Sequence, residues 1–177
     1  LELDNTISQL LESLNKIGVV WIVTNANIGW IKQGLSILNS TRKTIISNNT
    51  RIISARDSYS KLTNSPTEWK ILTFQNIMED LLNKINKNIR NNTILNIISI
   101  GDAMYEYIAL INLDNFIKSH ETIKKINCNF SYFLKNIKFI EKPEFDFLIN
   151  QIQMLDKNSE LIVKKLEYVD LKFNLNN

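Results

Sequence analysis

The sequence predicts an α/β protein: a mostly parallel sheet with helices on both faces. Three observations carry that expectation. The apolar stretches Val19–Asn25, Arg51–Arg56 and Asn96–Asp102 each end in a polar block, the pattern of buried strands that deliver reactive side chains to one sheet edge. Segments with helical periodicity alternate with them, which signals βαβ units. At 177 residues, 44% hydrophobic and 22% charged, the chain reads as a single domain, 1–177, that buries roughly 70% of its unfolded surface.

Each element follows from local pattern. Ile7, Leu10, Leu11, Leu14 and Ile17 recur at helical spacing, and Gly18 closes that segment. Val19–Val23 is a continuous β-branched and aromatic run, expected to be covered on both faces. Trp30, Ile31, Gly34, Leu35 and Leu38 give a second amphipathic helix, Arg42–Thr50 a polar loop and Arg51–Ala55 a short strand. Ser65-Pro66-Thr67-Glu68 starts a helix, with Ser65 at the N-cap and Pro66 first inside. That helix turns Trp69, Leu72, Phe74, Ile77, Met78, Leu81 and Leu82 inward. Lys84–Thr93 reads as a loop and Ile94–Ile100 as a third strand, followed by a helix from Ala103 to Leu113. Lys135–Ile140 is a fourth strand, Pro143–Lys165 a long helix and Tyr168–Asn174 a terminal strand. In such a sheet the crossovers are right-handed, and ligands bind beyond the carboxyl ends of the strands.

Bulk properties narrow the functional classes. The net charge of +3 comes from scattered lysines and not a basic block, so nucleic-acid binding lacks support. No apolar run is long enough for a membrane span and no signal peptide is visible. With a single cysteine, Cys128, no internal disulfide forms, which favours a reducing, cytoplasmic setting. The sequons at Asn39, Asn48, Asn91 and Asn129 are expected by chance in an Asn-rich chain.

The strand-edge argument gathers Thr24, Asn25, Arg56, Asp102 and Glu106 at one rim, with Lys70 in reach from the first turn of its helix. A hydroxyl, an ammonium and two carboxylates form a coherent set for a phosphoryl group. Thr24 donates to a phosphate oxygen, Lys70 offsets negative charge, and Asp102 with Glu106 holds Mg²⁺. Taken singly, each also has a plain structural role: Thr24 as a strand cap, Lys70 as a solvated helix residue. His120 is expected to be exposed, Cys128 a small buried hydrophobe, and Trp21, Trp30 and Trp69 packing residues. Glu79-Asp80 and Lys164-Lys165 read as solvated.

Four blocks, Val19-Val-Trp-Ile-Val-Thr-Asn-Ala26 with Gly29-Trp30, Ile52-Ile-Ser-Ala-Arg56, Glu68-Trp-Lys70 and Ile97-Ile-Ser-Ile-Gly-Asp102, occur in order. In these the chain resembles the haloacid-dehalogenase-like (HAD-like) hydrolase superfamily, and the resemblance runs on through Lys138-Phe139 and the long C-terminal helix. It implies a three-layer Rossmann-like core of strand order 3-2-1-4-5. It also implies Mg²⁺-dependent hydrolysis of a phosphate ester through an aspartyl-phosphate. Thr24 and Lys70 would then be catalytic, Asn25 and Arg56 would bind substrate, and Asp102 and Glu106 would hold the metal. The two aspartates of the family's first motif, Asp-x-Asp-x-Thr, are missing. Glu2-Leu3-Asp4-Asn5-Thr6 is the nearest approach, with Glu in the nucleophile's place; Asn5 or Thr6 as a helix cap is the plainer account of it. Without that motif the sheet lacks its middle strand, which an upstream segment or a protein partner is expected to supply. The chain alone is therefore expected to be inactive, and a non-catalytic HAD-like scaffold or partner-binding module is the rival reading. The substrate, a phosphorylated compound, is not named by the sequence.

Overall fold

The computed structural model describes residues 1–88, 93–121, 123 and 130–174. It is α/β, with two small parallel sheets. Helix α1, Glu2–Ile17, starts earlier than the apolar spacing suggests. Glu2 and Asp4 occupy its first turn and Lys16 its last, which complements the helix dipole. Asn5 and Thr6 are thus helical, and the Thr6 hydroxyl bonds back to the Glu2 carbonyl at 3.0 Å. Gly18 ends the helix, its N–H on the Leu14 carbonyl, with an extended φ of −172° that makes no special demand for glycine.

Strand β1, Trp21–Thr24, pairs in parallel with β2, Arg51–Ser54, from Trp21↔Arg51 to Thr24↔Ser54. The expectation of full cover fails here: every β1 residue is only half-buried, and Val19 is 77% exposed. Between the two strands lie α2, Ile28–Ile37, and α3, Asn39–Ser47. Helix α2 is apolar yet buries no residue, and Trp30 faces outward. Helix α3 replaces the loop expected at Arg42–Thr50. Its sequence lacks apolar periodicity because it is held by polar contacts, with Thr41, Thr44 and Ile45 turned inward.

Helix α4, Ala55–Tyr59, follows β2 directly, and α5 runs from Pro66 to Asn88, so the expected loop at Lys84–Thr93 is helical in its first part. Strand β3, Thr93–Gly101, leads into α6, Met104–Ser119, and β4 spans Phe130–Lys138. Helix α7, Phe145–Lys164, and strand β5, Val169–Lys172, complete the chain. The second sheet has the order β3-β4-β5, all parallel, in the registers Gly101↔Lys138 and Lys138↔Lys172. Cys128 and the sequons at Asn91 and Asn129 lie outside the described residues.

Alternation along β3 and β4 divides the core between the two sheet faces. On one face Leu10 of α1 and Ile152, Leu155 and Ile162 of α7 pack with Ile137, Ile98 and Ile100. On the other, Met78 and Leu82 of α5 and Leu110, Leu113 and Ile117 of α6 pack with Leu134, Leu95 and Ile97. Each fully buried side chain among them contributes about 1.5–3 kcal/mol, and the half-buried Leu95, Ile97, Ile98 and Ile100 contribute less. Among the described residues no helix is long and apolar enough to cross a membrane.

Candidate functional site

A single ammonium links the carboxyl end of β1 to the acid that overlies the end of β3. The start of α5 is fixed by its own cap, the Ser65 hydroxyl accepting from the Glu68 N–H, and by the Trp69 indole N–H on the Thr63 carbonyl at 2.7 Å. Asn25, one residue past β1, donates to the Pro66 carbonyl at 3.1 Å. So anchored, α5 directs Lys70 inward, where it is 2% exposed. Its Nζ donates to the Val23 carbonyl at 2.8 Å and pairs with Glu106 Oε1 at 2.9 Å. The expectation that Lys70 reaches the rim holds; the reading of it as a solvated helix residue does not.

Glu106 sits in the first turn of α6, folded over Gly101. A Cβ at Gly101 would lie 2.6 Å from Glu106 Cγ, so only glycine permits this approach. The far oxygen, Glu106 Oε2, is buried without a hydrogen-bond partner, as is Asn25 Oδ1. The Thr24 hydroxyl oxygen accepts from the Ala26 N–H at 3.0 Å, a turn that leaves its own proton available to donate.

Two of the expected residues stand apart. Asp102 follows β3 with an exposed side chain; its backbone carbonyl accepts from Lys138 Nζ, which also bonds the Phe139 carbonyl and Glu141. Arg56 is exposed on α4, its guanidinium 6.0 Å from the centroid of Trp69, so it flanks Lys70 without touching either acid. The structure therefore gathers Lys70 and Glu106 directly, with Thr24 and Asn25 beside them. Asp102 is at the same strand end and Arg56 at the margin.

The pattern of alternating strands and helices could not show Ser54, Asp57, Lys138 and Lys135, because their partners are distant backbone atoms. The Ser54 hydroxyl donates to the Ala26 carbonyl, and the Asp57 carboxylate accepts from the Ile28 N–H at 2.8 Å, tying the end of β2 to the turn after β1. Lys135 is fully buried and donates to the carbonyls of Ile162, Val163 and Lys165 at the end of α7. Burial pulls its ammonium below the ordinary lysine range. A lysine in mid-strand, between Leu134 and Asn136, was the available signal. His120, expected to be exposed, is half-buried with Nε2 2.6 Å from Glu79 Oε2, so Glu79 is not simply solvated either.

Asp4, within the segment nearest to the family's first motif, has a structural role. Its carboxylate accepts the Ser40 and Thr41 N–H groups at 2.9 and 2.8 Å, across the first turn of α3. Burial pushes its pKa up, but these donors outweigh it and hold the group at about 2. Among the described residues no group of three or more His, Cys, Asp or Glu side chains comes together to hold a metal. Two surface cavities, one between α1 and α7 and one beside Tyr168 on β5's flank, are lined by none of the six expected residues. No protein-family model, curated protein or solved structure matches the chain.

Proposed function

We propose that the chain is a HAD-like phosphoryl-handling domain with a three-layer Rossmann-like core, whose function in complete form is Mg²⁺-dependent hydrolysis of a phosphate ester. One observation carries the reading: the Lys70 ammonium, buried and anchored on the Val23 carbonyl at the end of β1, contacts Glu106, the acid that overlies the end of β3. In this role Thr24 donates its hydroxyl proton to a phosphoryl oxygen and Lys70 offsets the negative charge there. Asn25 and Arg56 would orient the substrate from the flanks. Asp102 and Glu106 Oε2 would hold Mg²⁺, which supplies Lewis-acid neutralisation of phosphoryl charge. The chain contains no Asp-x-Asp-x-Thr sequence, so nothing in it forms the aspartyl-phosphate, and alone it should not turn over.

The test joins a strand ending in Asp-x-Asp-x-Thr ahead of Leu1 and measures Mg²⁺-dependent release of phosphate from an aryl phosphate. The expected result is activity that Asp102→Ala abolishes without loss of stability, because that carboxylate is exposed and surface changes of this kind stay within about 0.5 kcal/mol. A folded, strand-bearing chain with no hydrolysis, or with hydrolysis indifferent to Asp102→Ala, overturns the reading. The second reading, a non-catalytic scaffold, is favoured by Asp4, whose carboxylate is engaged in joining two helices.

A further inference from the structure

The second sheet ends in a strand whose outer edge is complementary to a copy of itself. In the order β3-β4-β5, β5 pairs in parallel with β4 on one side, and among the described residues no strand pairs with it on the other. The Phe173 N–H donates to the Lys138 carbonyl at 3.0 Å, so Phe173 turns its backbone groups toward β4. Successive residues of a strand send these groups to opposite sides. Val169 and Leu171 therefore also face β4, and Asp170 and Lys172 direct their N–H and C=O groups outward. The side chains alternate between the sheet faces. Asp170 and Lys172 share the face of their register partners Asn136 and Lys138, and Asn136 Nδ2 donates to Asp170 Oδ1 at 2.8 Å. Val169, Leu171 and Phe173 share the opposite face, that of Ile137 and α7.

This edge is open to solvent. Leu171 is 43% exposed, and Asp170 and Lys172 are exposed beside it. The Lys172 ammonium has only loose local company, the Asp170 carboxylate at 3.5 Å and the Tyr107 ring centroid at 5.7 Å. A cavity of about 300 Å³ opens between α6 and the strand, and its lining of Tyr107, Ile111 and Tyr168 continues the apolar border of the edge. An unpaired strand edge is a template for another strand, and a lysine on it ordinarily discourages pairing. Here an acid two residues before the lysine changes that outcome, because a strand of the same sequence can set its carboxylate opposite the ammonium.

We propose that β5 pairs antiparallel with β5 of a second copy of this chain, about a twofold axis that passes through Leu171 perpendicular to the sheet. Two three-stranded sheets then join into one of six strands. Charge selects both the partner and the register. Outward-facing residues must meet outward-facing residues, so the axis falls on a residue and not between two. With the axis at Leu171, Asp170 stands opposite the partner's Lys172, and Lys172 opposite the partner's Asp170. On the other face Val169 meets the partner's Phe173 and Leu171 meets its counterpart, pairs of the kind that stabilise antiparallel ladders. An axis at Asp170 or at Lys172 sets like charges directly opposite, which destabilises. The twofold closes the assembly at a dimer. None of the six candidate-site residues lies on β5, so the inference holds whether or not phosphoryl chemistry occurs.

Sedimentation velocity from about 1 µM to about 1 mM chain, with amide hydrogen exchange at both ends of that range, tests it. The expected result is a concentration-dependent dimer in which the Asp170 and Lys172 amides exchange more slowly than in the monomer. Asp170→Lys and Lys172→Asp each place like charges opposite at two points and should weaken the dimer about tenfold or more. An equimolar mixture of the two variants restores both opposite-charge pairs and should form a heterodimer about as strong as the native dimer. The chain carrying both substitutions should dimerise with itself for the same reason, and circular dichroism checks that every variant keeps its fold. A monomer throughout the range overturns the proposal and leaves Lys172 as a guard against edge pairing. A dimer indifferent to both single substitutions, or one that neither the mixture nor the double variant restores, overturns it as well.

Discussion

Removing the ammonium at Lys70 should be among the most damaging single changes available to this chain. Lys70→Met keeps most of the stem's apolar packing and deletes only the charge and its donors. The side chain of Glu106 is 16% exposed and that of Lys70 3%, so the lysine's removal strands a largely buried carboxylate. Breaking a buried pair from one side costs about 3–5 kcal/mol. Glu106 has some access to water, which places the expected loss at the low end, and the orphaned Val23 carbonyl adds about 1 kcal/mol. The expected total of about 3–4 kcal/mol corresponds, for a chain of this length, to a fall in Tm of about 10 °C. Urea unfolding with an unchanged m value measures it. Glu106→Gln supplies the cycle: if the two groups interact as their 2.9 Å separation indicates, the double variant loses less than the two singles combined, by about 1–2 kcal/mol. A loss below about 0.5 kcal/mol for Lys70→Met, or strict additivity, would refute the assignment of Lys70 as the link between the sheet halves.

Asp4 should confer an acid-sensitive share of stability. Its folded pKa of about 2 lies below the unfolded value of about 3.9, so the contribution is complete above pH 4 and lost as pH falls towards 2. Asp4→Asn should remove that component from a pH series of melting temperatures. Lys135→Met should cost about 1–3 kcal/mol by unfolding, since it orphans the carbonyls that end α7 while relieving a buried charge. Gly101→Ala should push Glu106 off the strand end and cost about 1–3 kcal/mol. Its effect should shrink in a Glu106→Ala background.

The parts of the fold that the sequence announced were those with a one-dimensional signature. Leu10, Leu11 and Leu14, or Met78 and Leu82, lie at spacings that only a helix with one buried face explains. The Ile97-to-Asp102 block marked a strand and the turn that ends it. Elements held by partners distant in sequence were not legible. Helix α3 has no apolar stripe because its cap comes from Asp4, some 36 positions away, and its Thr44 faces Ser8 of another helix. Helix α2 misled in the opposite sense: Trp30 and Ile31 satisfy the periodicity, yet Trp30 is exposed and Ile31 only half-buried. Of the candidate site, the meeting of Lys70 with Glu106 followed from setting Glu106 at the strand-edge rim and Lys70 in reach of it from the first turn of its helix. The outward turn of Asp102 did not, because the Lys138 ammonium that fixes its carbonyl comes from β4.

Charge arithmetic at the rim constrains how the site can work. Lys70 already pairs its charge with Glu106, and the exposed Asp102 carboxylate at the same strand end adds a further negative charge. A phosphoryl dianion meets net repulsion there unless a cation enters with it. Arg56 is held over Trp69 at a distance that gives weak, solvent-screened compensation. The Lys70–Glu106 pair therefore competes internally with both proposed ligands. A divalent ion on Glu106 Oε2 and Asp102 would draw the carboxylate's charge away from Lys70 and free the ammonium for the anion. In the proposed site the two ligands would bind with positive coupling, each lowering the cost of the other. The unpartnered Glu106 oxygen, buried beside an anchored lysine, is the atom on which that coupling turns.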